Sequence, residues 1–130
     1  MYPKETEFSE LLGKTLTSIE GMAKGSSEII FTTNDGSKFK LTHWQDCCEH
    51  VEVEDVIGDV SDLLNSPITL AEESTSGDDP SDYRADPDAW RDSYTWTFYR
   101  LATAKGHVDV RWLGESNGYY SESVDFEMVV

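Results

Sequence analysis

The stretch from residue 93 to residue 113, SYTWTFYRLATAKGHVDVRWL, carries the most regular pattern in the chain. Within Ser93–Thr103 the side chains at every second position share a face, and Lys105-Gly106 is a turn signal. The alternation resumes over His107–Leu113, where valine and tryptophan occupy one face. We therefore expect two antiparallel strands joined by a tight turn, and this hairpin predicts a β-rich fold.

The strand pattern continues on both sides of this hairpin. Residues 114–118 are rich in glycine and polar residues, so we expect a second turn there. Tyr119–Val129 then returns as the third strand of a C-terminal meander. An N-terminal meander is also predicted, with Asn34-Asp35-Gly36 as its last turn, and its strands are Thr15–Met22, Glu28–Thr33 and Ser37–His43.

The middle of the chain mixes strand and helix signals. Strands are expected at Cys47–Val56 and Ile68–Glu73, and short helices at Glu5–Leu12 and Ile57–Leu64. Residues 74–92, which are rich in Ser, Asp, Pro and Gly, are interpreted as a long acidic loop. The predicted fold class is α+β: a single domain over residues 1–130, dominated by antiparallel β-sheet, with one or two short helices.

Composition favours a folded, cytoplasmic protein. Apolar residues make up 38% and aromatic residues 12% of the 130 residues, which is too many for a disordered acidic tail. The N-terminus is too polar for a signal peptide, and no apolar run approaches the roughly 18 residues that span a bilayer. The two cysteines, Cys47 and Cys48, are adjacent, and we expect reduced thiols in a reducing compartment.

Charge is strongly segregated along the chain. The formal net charge is −16, and the segment between Lys40 and Arg84 contains twelve carboxylates and no lysine or arginine. Such a surface repels nucleic acid and anionic membranes and attracts basic protein surfaces at long range. We therefore expect a protein partner with a basic surface, no direct nucleic-acid binding and no membrane binding. The competing interpretation is a solvated surface that only supplies solubility.

The acidic segment supplies the candidate partner-binding residues. Carboxylates at alternate strand positions would approximate the phosphate row of duplex DNA, which carries one charge per about 1.7 Å of axis. Aromatic residues inside a charged rim are typical interface anchors. The first group of candidates is Glu49, Glu52, Glu54, Asp55, Asp59 and Asp62, the second is Asp78, Asp79 and Asp82, and the aromatic anchors are Tyr83 and Trp90.

Other classes of function rest on weaker patterns. His43, Cys47, Cys48 and His50 are of the types that bind zinc, although their spacing matches no common zinc motif. The alternatives are thus a small metal-binding or enzymatic protein that uses these residues, or a self-associating structural or regulatory protein. Our first expectation includes no enzyme activity and no cofactor. Residues 114–118 fit the letters G-x-S-x-G, but a nucleophile elbow requires a helix where we expect a strand.

Three segments together resemble a family of small uncharacterised proteins encoded by bacteriophages and prophages. They are residues 46–59, with DCCE and EDVIGD at their ends, residues 96–103, WTFYRLAT, and residues 111–121, with RW and SNGYYS. The resemblance covers most of residues 15–127 and transfers no activity. It implies a phage protein in the cytoplasm of a host cell. By analogy with other small acidic phage proteins, we expect an anti-CRISPR-like DNA mimic that inhibits a host nucleic-acid-binding machine such as a CRISPR effector.

Overall fold

Two antiparallel sheets form the part of the chain that the structure, a computed structural model, describes: residues 4–76, 93–117 and 120–129. Two four-residue 3₁₀ helices occupy Phe8–Leu11 and Val60–Leu63. The strands are β1 (Lys4–Glu5), β2 (Leu16–Glu20), β3 (Glu28–Thr33), β4 (Lys38–Thr42), β5 (His50–Ile57), β6 (Leu70–Ser76), β7 (Ser93–Thr103), β8 (Gly106–Ser116) and β9 (Asp125–Val129).

The strand order confirms two of the predicted motifs, the N-terminal meander and the β7–β8 hairpin. One sheet has the order β1-β9-β4-β3-β2, and the other has the order β5-β8-β7-β6. The N-terminal meander is confirmed because β3 pairs with both β2 and β4. The hairpin is confirmed because β7 and β8 pair without a register shift from Ser93↔Ser116 to Thr103↔Gly106. Alternating side chains therefore predict these strands and their neighbours correctly.

The predicted C-terminal meander is wrong. After β8 the chain crosses to the other sheet, where β9 pairs with β4 and β1. The turn expected at 114–118 is also wrong at its start, since Gly114 lies inside β8. A Cβ atom on Gly114 would lie 2.5 Å from the carbonyl oxygen of Glu122. This glycine therefore permits the close passage of the crossing chain and does not mark a turn.

The α+β class is wrong for the described residues, which contain no α-helix. The helix predicted over Glu5–Leu12 is reduced to one 3₁₀ turn, and so is the helix predicted over Ile57–Leu64. Residues with positive φ follow each turn closely, Gly13 at 82° and Asn65 at 63°. Because a right-handed helix needs negative φ, neither turn can be extended at its C-terminal end.

The strands in the middle of the chain differ from prediction at their ends. The strand expected from Cys47 begins at His50, because residues 43–49 form a loop held by side-chain hydrogen bonds. The strand expected over Ile68–Glu73 is β6, which continues to Ser76 and so takes the first three residues of the predicted acidic loop. Residues 77–92 of that loop lie outside the described residues.

The inner faces of both sheets contribute to one hydrophobic core. Phe31 and Leu41 from one sheet and Tyr99 and Trp112 from the other are fully buried. Phe8, from the first 3₁₀ helix, connects the two layers, with its ring centroid 6.3 Å from that of Phe31 and 4.7 Å from that of Tyr99. Most charged side chains on the strands therefore lie on the outer faces, although Glu115 on β8 and Glu127 on β9 are buried.

Candidate functional site

The outer face of the four-stranded sheet carries an ordered array of charged side chains. Pairing across β5, β8, β7 and β6 aligns outward-facing residues in rows, with neighbouring strands about 4.8 Å apart. One row consists of Ile57, Asp109, Arg100 and Glu72, and the next consists of Asp55, Arg111, Phe98 and Ser74. Acidic and basic groups are therefore neighbours on adjacent strands.

These rows line a groove of about 410 Å³. Its charged lining residues are Asp55, Glu72, Glu73, Asp109, Arg100 and Arg111. On the outer face the carboxylates outnumber the guanidinium groups by three to two, because Glu73 pairs with the buried Tyr99 and its side chain lies on the other face of the sheet. Apolar surface comes from Phe98 and from Ile57, which is 62% exposed. The groove therefore combines an excess of negative charge with apolar contacts, which suits a cationic group on an apolar stem.

Arg111 is already engaged by neighbouring residues of the sheet. Its Nε and Nη2 atoms lie 2.7 Å and 2.6 Å from Glu54 Oε2. Its guanidinium carbon lies 4.9 Å from the centroid of the Trp96 ring, within the range of a cation–π contact. Because the positive charge of Arg111 neutralises the negative charge of Glu54, this glutamate contributes little to the electrostatic field at the partner-binding surface.

Arg100 is held more loosely than Arg111. Its Nε lies 3.8 Å from Asp109 Oδ1, and 65% of its side chain is exposed. Such an exposed, long contact contributes little and is screened by salt. Asp55, Glu72 and Asp109 are therefore the groove carboxylates best able to attract a partner.

A β-bulge places two consecutive acidic residues on the same side of β5. The pairing with β8 shifts between Val53 and Asp55, so that Glu54 is the extra residue. Before the bulge the predicted alternation is confirmed, with Val51 and Val53 buried. After the bulge, Asp55 lies opposite Arg111 in the strand register and lines the groove. Glu54 forms an ion pair with the guanidinium of the same arginine.

Two predicted acidic residues lie beyond β5 and serve the local fold. Asp59 caps the second 3₁₀ helix by accepting hydrogen bonds from the Ser61 hydroxyl at 2.7 Å and the Ser61 N–H at 3.0 Å. These bonds lower the pKa of Asp59. Asp62 packs against the turn between β7 and β8, since a Cβ atom on Gly106 would lie 2.7 Å from Asp62 Oδ2. Neither residue lines the groove.

The remaining predicted residues are divided between the surface and the undescribed part of the chain. Glu52 is partly exposed on β5 and lies 3.1 Å from His50 Nε2. Five predicted residues lie outside the described residues, namely Asp78, Asp79, Asp82, Tyr83 and Trp90. The structure therefore brings together only part of the predicted acidic face.

Glu49 is not a surface residue, which corrects its assignment to the partner-binding face. Its side chain is fully buried, and its carboxylate accepts hydrogen bonds from the backbone N–H groups of Asp46 and Cys47 at 2.9 Å and 2.8 Å. His43 Nε2 lies 2.8 Å from the same carboxylate. Burial alone would raise the pKa of Glu49, but these hydrogen bonds outweigh it and lower the pKa to about 2.

His43 also connects two of the segments that carry the family resemblance. Its Nε2 contacts Glu49 in the DCCE segment, and its Nδ1 lies 2.7 Å from the carbonyl oxygen of Ser123, just beyond the SNGYYS segment. Next to this carbonyl, Glu122 accepts hydrogen bonds from Thr95 at 2.7 Å and Ser116 at 2.5 Å. This end of the sheets is therefore a polar network that fastens the loop before β5 to the crossing chain before β9.

The proposed cluster of cysteines and histidines does not form a metal site in the described ranges. The sulfur atoms of Cys47 and Cys48 contact each other in the loop before β5, and the reduced state expected for these thiols stays a prediction. The imidazole of His43 contacts the carboxylate of Glu49, and the imidazole of His50 contacts the carboxylate of Glu52. Within residues 4–76, 93–117 and 120–129, no three side chains of His, Cys, Asp or Glu are arranged to hold a metal ion.

Ser116 is likewise not part of a nucleophile elbow. It lies in β8, and its hydroxyl donates to Glu122. The described residues that follow, 120–129, contain a strand and no helix.

Among the residues that the structure describes, no helix is long and apolar enough to cross a membrane.

Sequence reasoning missed much of the groove. Asp109, Arg100 and Arg111 lie outside the acidic segment, and Glu72 and Glu73 lie inside it without being among the predicted site residues. Charge alone does not select these residues, because the strand register decides which side chains share a face. The signal that locates them is the alternation in the β7–β8 hairpin, which places Arg100 and Asp109 opposite each other on the outer face.

Comparison with known proteins gives a family and no function. Neither a curated protein nor a solved structure matches the chain. The family model described as a domain of unknown function, DUF7448, matches residues 9–126, which include the whole four-stranded sheet with its groove and strands β2, β3 and β4 of the other sheet. The chain therefore belongs to the family of this domain, DUF7448.

Proposed function

We propose that this protein is a protein-binding inhibitor whose acidic groove binds a lysine- or arginine-bearing surface of a host nucleic-acid-binding protein. The observation that carries the proposal is the excess of outer-face carboxylates, Asp55, Glu72 and Asp109, over two guanidinium groups in a groove of about 410 Å³. A net charge of −16 would steer a basic partner toward this surface over a distance of about one Debye length.

The groove supports protein binding better than small-ligand binding. The carboxylates of Asp55 and Glu72 lie on opposite sides of the sheet face, on β5 and β6, with Phe98 between them. Ile57 presents an apolar side chain beside this charged rim. A partner would place cationic groups next to the carboxylates while covering the apolar surface, an arrangement typical of interface hot spots.

The finer part of the proposal is competition with DNA or RNA. Asp109 and Glu72 lie two strands apart in one row, about 10 Å by strand spacing, so each can pair with a separate lysine or arginine side chain of a nucleic-acid channel. The expected phage origin makes a host defence machine, such as a CRISPR effector, the natural target. Glu49 has no part in this mechanism because it is buried, and Glu54 has little because Arg111 neutralises it.

The test is binding to purified bacterial nucleic-acid-binding proteins, including a guide-loaded CRISPR effector, with DNA as competitor. The groove variant combines Asp55→Asn, Glu72→Gln and Asp109→Asn. Its control, Glu7→Gln with Glu10→Gln and Glu20→Gln, removes equal charge from exposed sites outside the groove. We expect affinity to fall roughly tenfold or more between 50 mM and 200 mM salt, and to fall similarly in the groove variant only.

Three results would count against the proposal. Equal losses in the groove and control variants would mean that only net charge matters. Affinity that does not change with salt would exclude electrostatic competition. Simultaneous binding of DNA and this protein to the same partner would exclude occupation of the nucleic-acid channel.

A further inference from the structure

Strand β6 forms one edge of the four-stranded sheet and borders the groove. It pairs with β7 through seven consecutive residue pairs, from Leu70↔Ala102 to Ser76↔Trp96, with no register shift. A regular strand of this kind presents alternate backbone N–H and C=O groups away from its partner. Edge strands are usually protected by charged side chains, most often lysine, by proline or by a bulge. The sequence of β6, LAEESTS, contains no lysine or proline, and its only charges are Glu72 and Glu73, which would attract a cationic strand.

The opposite edge of the same sheet is protected in two ways. Strand β5 carries the bulge at Glu54, and the backbone of Val53 bonds to the loop between β2 and β3. The Val53 N–H donates to the Ser26 carbonyl, and the Gly25 N–H donates to the Val53 carbonyl, both at 2.8 Å. A further strand is therefore less easily added beside β5 than beside β6.

Backbone hydrogen bonding to the β6 edge by the described chain ends just before the strand begins, although the first 3₁₀ helix, Phe8–Leu11, still packs against β6. The Gly13 N–H donates to the Ile68 carbonyl at 2.8 Å, and the Ile68 N–H donates to the Lys14 carbonyl at 2.9 Å. Beyond this point four consecutive residues, 72–75, are exposed. In a strand packed on one face, only alternate residues would be exposed, so both faces of this part of β6 are open.

The order of charged residues across the sheet indicates which side-chain charge would be favourable on a strand added beside β6. In the row that ends at β6, Asp109 is followed by Arg100 and then by Glu72. The next position, about 4.8 Å beyond Glu72, is therefore favourable for a cation and completes the alternation of sign. Ser74 follows two residues later on the same face and offers no charge, so a small or apolar residue fits opposite it.

A second copy of this chain fits the edge poorly. An antiparallel pair of β6 strands would bring Glu72 and Glu73 of one copy close to the same residues of the other. Like charges opposite each other destabilise strand pairing, and two chains of charge −16 repel each other before contact. Charge therefore selects a cationic segment of another protein over self-pairing.

We propose that the β6 edge accepts an extended cationic segment of the partner as a fifth strand of this sheet. Backbone hydrogen bonds to β6 would hold the segment, and a lysine or arginine beside Glu72 would reach into the groove. This inference rests on the proposed function, because the same groove receives the cationic side chains, and it adds the conformation that the partner segment must adopt.

The probe is an acetylated, amidated octapeptide in which lysine and threonine alternate, with binding measured by calorimetry. Two versions carry N-methyl groups at alternate amides, one set on each edge of the extended peptide, so that each version blocks one edge only. We expect one version to bind at least tenfold more weakly than the parent and the other to bind like the parent. Amide hydrogen exchange should slow at alternate residues of β6 when the parent peptide is bound.

Protein variants test the charge rule. Glu72→Lys should weaken peptide binding at least tenfold, whereas Glu20→Lys, the same change at an exposed site on β2 in the other sheet, should weaken it only about twofold. The proposal is overturned if both N-methylated peptides bind like the parent, if the parent does not bind, or if β6 amides gain no protection. It is also overturned if Glu72→Lys binds the peptide as well as Glu20→Lys does.

These failures are separable from failure of the proposed function. If the groove variant loses the protein partner but N-methylation has no effect on the peptide, the groove binds cationic side chains without strand addition. If the peptide pairs with β6 but no nucleic-acid-binding protein is inhibited, the edge site exists and the assigned target class is wrong. A concentration-dependent dimer in sedimentation, abolished by Glu72→Lys with Glu73→Lys, would replace the cationic segment by a second copy.

Discussion

The imidazole of His43 and the carboxylate of Glu49, with Nε2 and Oε2 2.8 Å apart, close the loop that carries the chain from one sheet to the other. His43 follows β4, and Glu49 immediately precedes β5. Both side chains are almost completely buried. A buried carboxylate is tolerated here because the loop itself supplies hydrogen-bond donors, including two backbone N–H groups.

Stability in acid should depend on Glu49. Its pKa is lowered from 4.5 to about 2 in the folded protein, so the ionised form stabilises the fold above about pH 4.5. That stabilisation is lost as the pH falls toward 2. Urea unfolding across this range should therefore show a smaller loss of unfolding free energy for Glu49→Gln than for the wild type.

The control for this acid effect is Glu52→Gln, which changes a partly exposed carboxylate in the same region. It should keep the pH dependence of the wild type. The pKa of Asp35 is also lowered to about 2, but this residue is present in every variant and its effect cancels in the comparison. Identical pH dependence in Glu49→Gln and the wild type would show that the buried carboxylate is not linked to folding.

Gly58 should be more sensitive to substitution than Gly36, although both have positive φ, 121° and 87°. A Cβ atom on Gly58 would lie 2.5 Å from the His107 carbonyl oxygen, whereas one on Gly36 would meet nothing within 4 Å. Gly36→Ala should therefore cost about 1–2 kcal/mol from backbone strain alone, and Gly58→Ala should cost more. Equal unfolding free energies for the two alanine variants would contradict the close approach to β8.

Phe8 should be among the most important residues of the core. Its ring contacts Phe31 in one sheet and Tyr99 in the other, and the side chain is buried. Phe8→Ala should lower the unfolding free energy by about 3–5 kcal/mol, because it removes a large side chain between two packed layers. Leu12→Ala, at a site that is 49% exposed, should change it by about 0.5 kcal/mol or less. A small effect at Phe8 would mean that the N-terminal segment is not part of the cooperative fold.

Local pattern predicts strands well here because alternation is a local consequence of burial on one face. The β7–β8 hairpin follows directly from its alternating sequence and its turn at Lys105-Gly106. The pairing of β9 does not follow, because β9 bonds to β4, more than eighty residues earlier in the chain. Nothing in the local sequence of β9 distinguishes β8 from β4 as its neighbour.

The acidic face is harder to predict than the strands, because charge type does not determine exposure. Glu49 and Glu52 are both glutamates in one acidic segment, yet only Glu49 is enclosed by donors. One of those donors, His43, is oriented by the Ser123 carbonyl, eighty residues away in sequence. Such a network depends on the tertiary fold, so residue type and spacing alone assign Glu49 to the surface.

Arg111 should resist replacement by lysine despite conservation of charge. Two nitrogen atoms of its guanidinium contact Glu54, and its planar group lies over Trp96. Lysine offers a single ammonium and cannot reproduce both contacts, so Arg111→Lys should lower the unfolding free energy by about 1 kcal/mol. Tryptophan fluorescence should change at the same time, because the cation leaves the Trp96 ring. Urea unfolding followed by this fluorescence measures both effects.

The control is Arg100→Lys, whose side chain is 65% exposed and whose contact with Asp109 is 3.8 Å. It should cost no more than about 0.5 kcal/mol and leave the fluorescence unchanged. The comparison also bears on the groove, because a weakened contact at Arg111 leaves Glu54 available to a cationic partner. Arg111→Lys should therefore bind such a partner no more weakly than the wild type does. If it binds more weakly, Arg111 contacts the partner directly, and the division of the groove into internally paired and available charges is wrong.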